Sequence, residues 1–172
     1  MAETFQEYAQ RIRGYLDGRN PVESMQHAPA DLAQLLKNLP ESVAGKAPEP
    51  GKWSIAEIIA HLADTELAAG FRYRAIGGGE DGVPITGYDQ ERWAVAGNYR
   101  AAKLEDSLKS FLALREMNLR YLNGLPDRAW KKYGVHSERG RETLRDLVEL
   151  VAGHDLNHIA QIRKILSSAQ AA

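Results

Sequence analysis

The sequence predicts an all-α protein: a four-helix bundle with an extra N-terminal helix and a long crossing connection between its second and third helices. Apolar residues recur at helical three- and four-residue spacing through four long segments, and β-branched alternating runs are nearly absent. Most glycines and prolines fall between those segments, where they act as stops.

The extra helix spans Glu3 to Leu16. The first bundle segment, Pro21 to Asn38, carries Leu32, Leu35, Leu36 and Leu39 and ends at Pro40, with Pro29 expected to kink or restart it because proline cannot donate to the ladder. The second, Ser54 to Ile76, opens on a capping box, Ser54 with Glu57, and is stopped by Gly77, Gly78 and Gly79. Its stripe holds Ile55, Ile58, Ile59, Leu62, Ala69 and Tyr73. The crossing from Gly77 to Ala102 is too long for a bare loop, and Asp89 to Ala96 is expected to form a short helix within it.

The third segment, Lys103 to Asn123, repeats Leu104, Leu108, Phe111, Leu112, Leu119 and Leu122 before Gly124 and Pro126. Gly134 to Gly140 reads as a small extended excursion. The last segment, Glu142 to Leu166, runs through Leu144, Leu147, Val148, Val151, Ile159, Ile162 and Ile165. We assign 1–19 to the extra helix, 20–168 to the bundle and 169–172 to a polar, alanine-rich tail.

Composition narrows the function. The 172 residues are 44% hydrophobic, enough for one good core, and a formal net charge of −1 with no Lys/Arg block leaves no phosphate-neutralising surface. No nucleic-acid partner is expected. Met1 to Tyr15 lacks an apolar signal core, and no apolar run approaches the ~18 residues of a membrane span, so a soluble, cytoplasmic chain without membrane attachment is expected. The absence of cysteine confines any metal to N and O donors and rules out a cysteine nucleophile.

Three of the five histidines then stand out. His154 and His158 are one turn apart, ~40° around the helix and within the apolar stripe, so both imidazoles can reach one ion. His61 lies at the rim of the second segment's stripe. Taken singly, each is more simply a hydrogen-bonded core histidine; taken together, they suit an open site of three neutral imidazoles, typical of catalytic rather than structural zinc. Imidazole serves Zn, Ni, Cu and Fe about equally.

Glu57 and Asp64, one turn either side of His61, either orient ligands and act as base or belong to a solvated face, the simpler reading. Arg115, in the middle of its stripe with Asn118 at the edge, needs a counter-charge; pairing with Asp155 or Asp89 is the simplest reading, and an anion-receiving pocket is the other. In an enzyme, Asp64, Asp89 and Arg115 are the candidates to position substrate or move protons. His136 and His27 are read as surface histidines, and Trp53, Trp93 and Trp130 as packing or pocket lining.

Gly51-Lys52-Trp53-Ser54 leading to His61-Leu62-Ala63-Asp64, then Gly153-His154-Asp155-Leu156-Asn157-His158-Ile159-Ala160-Gln161-Ile162, resembles the DinB-like superfamily. Gly87-Tyr88-Asp89 through Trp93 and Gly134-Val135-His136 agree in order, so the likeness runs from about Asn20 to Leu166. It implies a four-helix bundle, often a homodimer, with His61, His154 and His158 holding a divalent ion, zinc or nickel first and iron after them. Some members are transferases that use low-molecular-weight thiols such as bacillithiol or mycothiol. The expectation is a metal-dependent transferase or hydrolase acting on an unknown small molecule. The alternative is a non-catalytic metal- or ligand-binding bundle in a stress response. Fold likeness alone does not choose between them.

Overall fold

The computed structural model describes residues 3–170, with side chains to residue 168. In chain order the elements are α1 (Phe5–Gly14), α2 (Pro21–Leu35), α3 (Glu41–Ala44), α4 (Ile55–Gly78), β1 (Val83–Ile85), α5 (Gln90–Ala96), α6 (Leu104–Asn123), β2 (Tyr133–His136), β3 (Gly140–Thr143) and α7 (Leu144–Gln170). Single 3-10 turns fall at Tyr99–Ala101 and Asp127–Lys131. Ala171 and Ala172, in the expected tail, lie outside the described residues, as do Met1 and Ala2; α7 runs through the rest of that tail.

Local chemistry sets the helix starts. Asn20 Oδ1 accepts from the Val22 and Glu23 amides ahead of Pro21 at N1. Ser54 and Glu57 close the expected capping box, with Ser54 N–H donating to Glu57 Oε2 at 2.8 Å. Glu57 is thereby buried, correcting its reading as part of a solvated face. The last helix begins at Leu144 rather than Glu142. Thr143 Oγ1 accepts from the Asp146 amide at 3.1 Å while Asp146 Oδ2 accepts from the Thr143 amide at 2.9 Å, and β3 claims the residues before it. Pro29 lies inside α2, which continues through it instead of restarting.

The four long helices form a ring in which α4 packs on α6 and α7, and α2 packs on the same two. The start of α4 (Ile55, Ile58, Ile59, Leu62) shares a cluster with the end of α7 (Ile159, Ile162), Leu32 and Phe111. The far half of α4 (Ala69, Tyr73, Ile76) meets the start of α7 (Leu144, Leu147, Val148), Met25 and Leu122. α4 and α7 are therefore antiparallel neighbours. Between the two apolar clusters lies a polar layer: Glu66, Arg115, Asn118, Asp155 and the three histidines.

The helical class holds, with a small sheet added that the sequence only half announced. The excursion before the last helix is an antiparallel pair, Tyr133 opposite Thr143 and His136 opposite Gly140. The crossing contributes β1, parallel to β2 with Ile85 opposite His136. This sheet brings Thr86 to Tyr88 and His136 to Arg139 beside the polar layer. The extra helix α1 lies along α7, where a Cβ on Gly153 would collide with the Ile12 carbonyl, so only glycine allows so close an approach.

Candidate metal centre

His61 comes from α4 and His154 and His158 from adjacent turns of α7, and their Nε2 atoms converge. His61 Nε2 and His154 Nε2 are 3.0 Å apart, and His158 Nε2 is 3.1 Å from His154 Nε2. His158 Nδ1–H donates to Gln161 Oε1 at 3.0 Å, which leaves its Nε2 as a bare lone pair facing the others. A proton on His154 Nε2 can satisfy one neighbour at a time, whereas a cation satisfies every lone pair aimed at it. The donor set therefore fits a divalent transition ion. No fourth His, Cys, Asp or Glu joins the cluster among the described residues.

Burial keeps the imidazoles neutral, as ligands must be. Desolvation, then repulsion from His158, pushes His61 down to about 3. Desolvation lowers His158 to about 4 against the hydrogen bond it donates to Gln161, and burial, then repulsion from His158 and His61, holds His154 well below the usual histidine range. Among the described residues the buried Nδ1 atoms of His61 and His154 have no partner, whereas Gln161 orients the His158 ring through its Nδ1. Trp53 packs against the His61 ring at 4.9 Å.

A cavity of about 370 Å³ opens on His61 and His154. Its walls come from α1 (Phe5, Tyr8), α4 (Thr65, Arg72), the crossing (Tyr88, Gln90), the sheet (His136, Arg139) and α7 (Leu147, Leu150, Val151).

The other expected site residues go elsewhere. Arg115, 1% exposed, donates to Glu66 Oε1 at 2.9 Å, Asp155 Oδ2 at 2.6 Å and the Met25 carbonyl at 2.9 Å, so carboxylate pairing is its arrangement and it does not line the cavity. Burial pushes the Asp155 carboxyl up against the pull of Arg115. Asp64 accepts the Tyr99 hydroxyl proton at 2.6 Å. Tyr99 in turn meets Trp53 edge-on at 6.2 Å, and Trp53 packs on the His61 ring. Asp89 caps α5 and pairs with Arg92 at 3.3 Å on the surface, away from Arg115.

His136 is not a surface histidine: it is buried at the cavity wall, because β2 carries it inward. His27 is exposed as expected. The roles of Glu66, Gln161, Arg72 and Arg139 were missed. Gln161 alone left a signal, since it follows His158 by three residues on the same face.

A helical bundle that turns three imidazoles to one point beside a cavity defines a candidate metal protein as its class. Residues 24–162 match the model of the DinB superfamily, and the chain belongs to that superfamily. It is 24% identical over 84% of its length to YfiT of Bacillus subtilis (strain 168), covering 81% of that protein, which is provisionally named a metal-dependent hydrolase. A similarly named protein of Oceanobacillus iheyensis, OB0782, is 27% identical, with 78% of this chain and 80% of that one covered. The solved structure of B. subtilis YfiT, described as a four-helix bundle of unusual topology, matches with a TM-score of 0.79 at 22% identity over 87% of this chain and 86% of that one.

Proposed function

We propose that this protein is a divalent-metal-dependent enzyme of the hydrolase type, with His61, His154 and His158 as its metal ligands. Three imidazoles suit zinc, nickel, copper and iron alike, and the likeness to the superfamily puts zinc or nickel first and iron after them. The observation that carries the reading is the convergence of three Nε2 atoms at the wall of a cavity that reaches two of them. Three protein ligands leave coordination positions for a reactant. The provisional names of the relatives support hydrolysis in particular.

A bound divalent ion supplies Lewis acidity, making water or a small thiol a nucleophile near neutral pH. The chain's own residues do the rest. Gln161 holds His158 in its ligating tautomer, and Trp53 fixes the His61 ring from outside. Phe5, Tyr8, Leu150 and Val151 exclude bulk water from one side of the reactant. The Thr65 and Tyr88 hydroxyls, 3.4 Å apart, offer hydrogen bonds along the cavity. Asp64 orients Tyr99, which meets Trp53 beside the His61 ring, and Arg115 holds Asp155, the residue next to His154 in α7.

The test is elemental analysis of untagged protein beside the His61→Ala/His158→Ala variant, followed by ester, amide and thiol-transfer assays of the loaded protein. Near-stoichiometric metal lost in the variant, with metal-dependent hydrolysis, is the expected result. Thiol transfer without hydrolysis would replace the reaction type, and a loaded protein inert in every assay would point to a binding module.

A further inference from the structure

The cavity also carries information about what enters it, and the inference from it rests on the metal-centre reading. His61, Thr65, Ala68 and Arg72 follow one face of α4 and all line the cavity. Arg72 is eleven residues beyond His61, roughly 16 Å of helix rise, shortened because helical side chains lean toward the N-terminus. A ligand that meets the metal centre at one end therefore meets a guanidinium at the other.

That guanidinium has no carboxylate at salt-bridge distance among the described residues; Glu142, committed to Arg139, attracts it only from farther away. Arg72 is 9% exposed; its Nη2 donates to the Thr86 carbonyl at 2.7 Å and its charge lies over the Tyr88 ring at 5.4 Å. Among the described residues no carboxylate pairs with it within 4.0 Å. Its neighbour Arg139 is paired with Glu142 at 2.8 Å, but Arg139 Nε remains buried without a partner. His136 Nδ1 accepts from the Glu138 amide at 3.1 Å, so the ring proton sits on Nε2 as a further donor. Burial, then Arg139 and Arg72, holds His136 down to about 4, which keeps it neutral. Glu138 is exposed at the rim, where water screens its charge. A buried cation with no carboxylate at salt-bridge distance costs free energy that an anionic ligand would offset.

We propose that the cavity takes a small carboxylate with an aromatic or apolar body, its carboxylate held by Arg72 with Arg139 and His136, its body lying along Phe5, Tyr8 and Leu150 toward His61. The volume suits a small metabolite-sized molecule. Arginine matches a carboxylate with two parallel donors, and the aromatic wall favours a ring.

The experiment is calorimetric titration of the metal-loaded protein with phenylpropanoate and with its uncharged isostere phenylpropanamide, repeated on Arg72→Gln and Arg72→Lys. The acid is expected to bind at least about tenfold more tightly than the amide, the increment of a charge-assisted hydrogen bond. Arg72→Gln should erase that preference, and Arg72→Lys should keep part of it. Metal content should be unchanged in both. Equal affinity for acid and amide, or no binding of either, overturns the proposal. So does a preference that survives Arg72→Gln but disappears in His61→Ala, since the carboxylate would then be on the ion. An Arg72-dependent preference in a protein that takes up no metal keeps the anion site and removes the metal reading.

Discussion

Pro29 and Arg115 complete one another across Met25. Proline has no amide hydrogen, so the Met25 carbonyl, four residues earlier on α2, loses its helical donor. Arg115 of α6 supplies the replacement at 2.9 Å from Nη1, while Nη2 holds Glu66 and Asp155. α2 thus continues through a residue that ordinarily breaks a helix, and one guanidinium joins α2, α4, α6 and α7.

Arg115→Leu should destabilise the protein by about 3–5 kcal/mol, because two buried carboxylates and a carbonyl lose their common donor. Arg115→Lys should recover only part of this, as an ammonium lacks the planar fork. Urea unfolding followed by circular dichroism measures both. A loss below about 1 kcal/mol for Arg115→Leu would remove the ion-pair layer from the account of stability.

Stability should fall in acid with a defined sign. His61 and His158 titrate near 3 and 4 when folded, held down first by burial, against ~6.5 unfolded. The unfolded chain therefore takes up protons first. The contribution is complete above about pH 6.5 and is lost as pH falls toward 4, by up to about 1.4 kcal/mol per pH unit for each histidine. A melting temperature flat across that range, with and without added zinc, would contradict this environment.

Metal removal should lower the melting temperature of the wild type and leave His61→Ala/His158→Ala unaffected. At a free-ion concentration about a thousandfold above Kd the bound ion adds about 4 kcal/mol. Gln161→Leu should weaken metal binding about 10- to 100-fold without unfolding, because His158 loses the partner that fixes its tautomer. Competition with a chromogenic chelator reads this directly.

Gly153→Ala should cost about 1–3 kcal/mol, since the added methyl meets the Ile12 carbonyl and α1 must shift. Phe5 and Tyr8 would move with it, so the same variant should alter small-molecule binding in the cavity while metal content stays near wild type. Parallel thermal melts and metal assays separate the two effects.

The helices and the three histidines were legible because period 3.6 and one-turn spacing are local properties. So was the pairing of Arg115 with Asp155, because a charge in an apolar stripe must find a partner. Glu66 was not, since it follows Asp64 in a polar stretch and its burial depends on which helix α6 presents to it. Arg72 and Arg139 were hidden for the same reason: their shared wall exists only once β1 pairs with β2. The start of the last helix could have been read from Thr143 and Asp146, a capping pair outranked by the apolar repeat beyond it.

The polar layer has a consequence for assembly of the bundle. Apolar faces alone would let α4 slip along α7 by one turn, about 5.4 Å, with much of the burial retained. With Arg115, Glu66 and Asp155 clamped between two apolar clusters, the same slip would drive a bare carboxylate into hydrocarbon. The layer indexes the helices, so His61 meets His154 and His158 at one permitted alignment. The three imidazoles are thereby brought into line by folding itself.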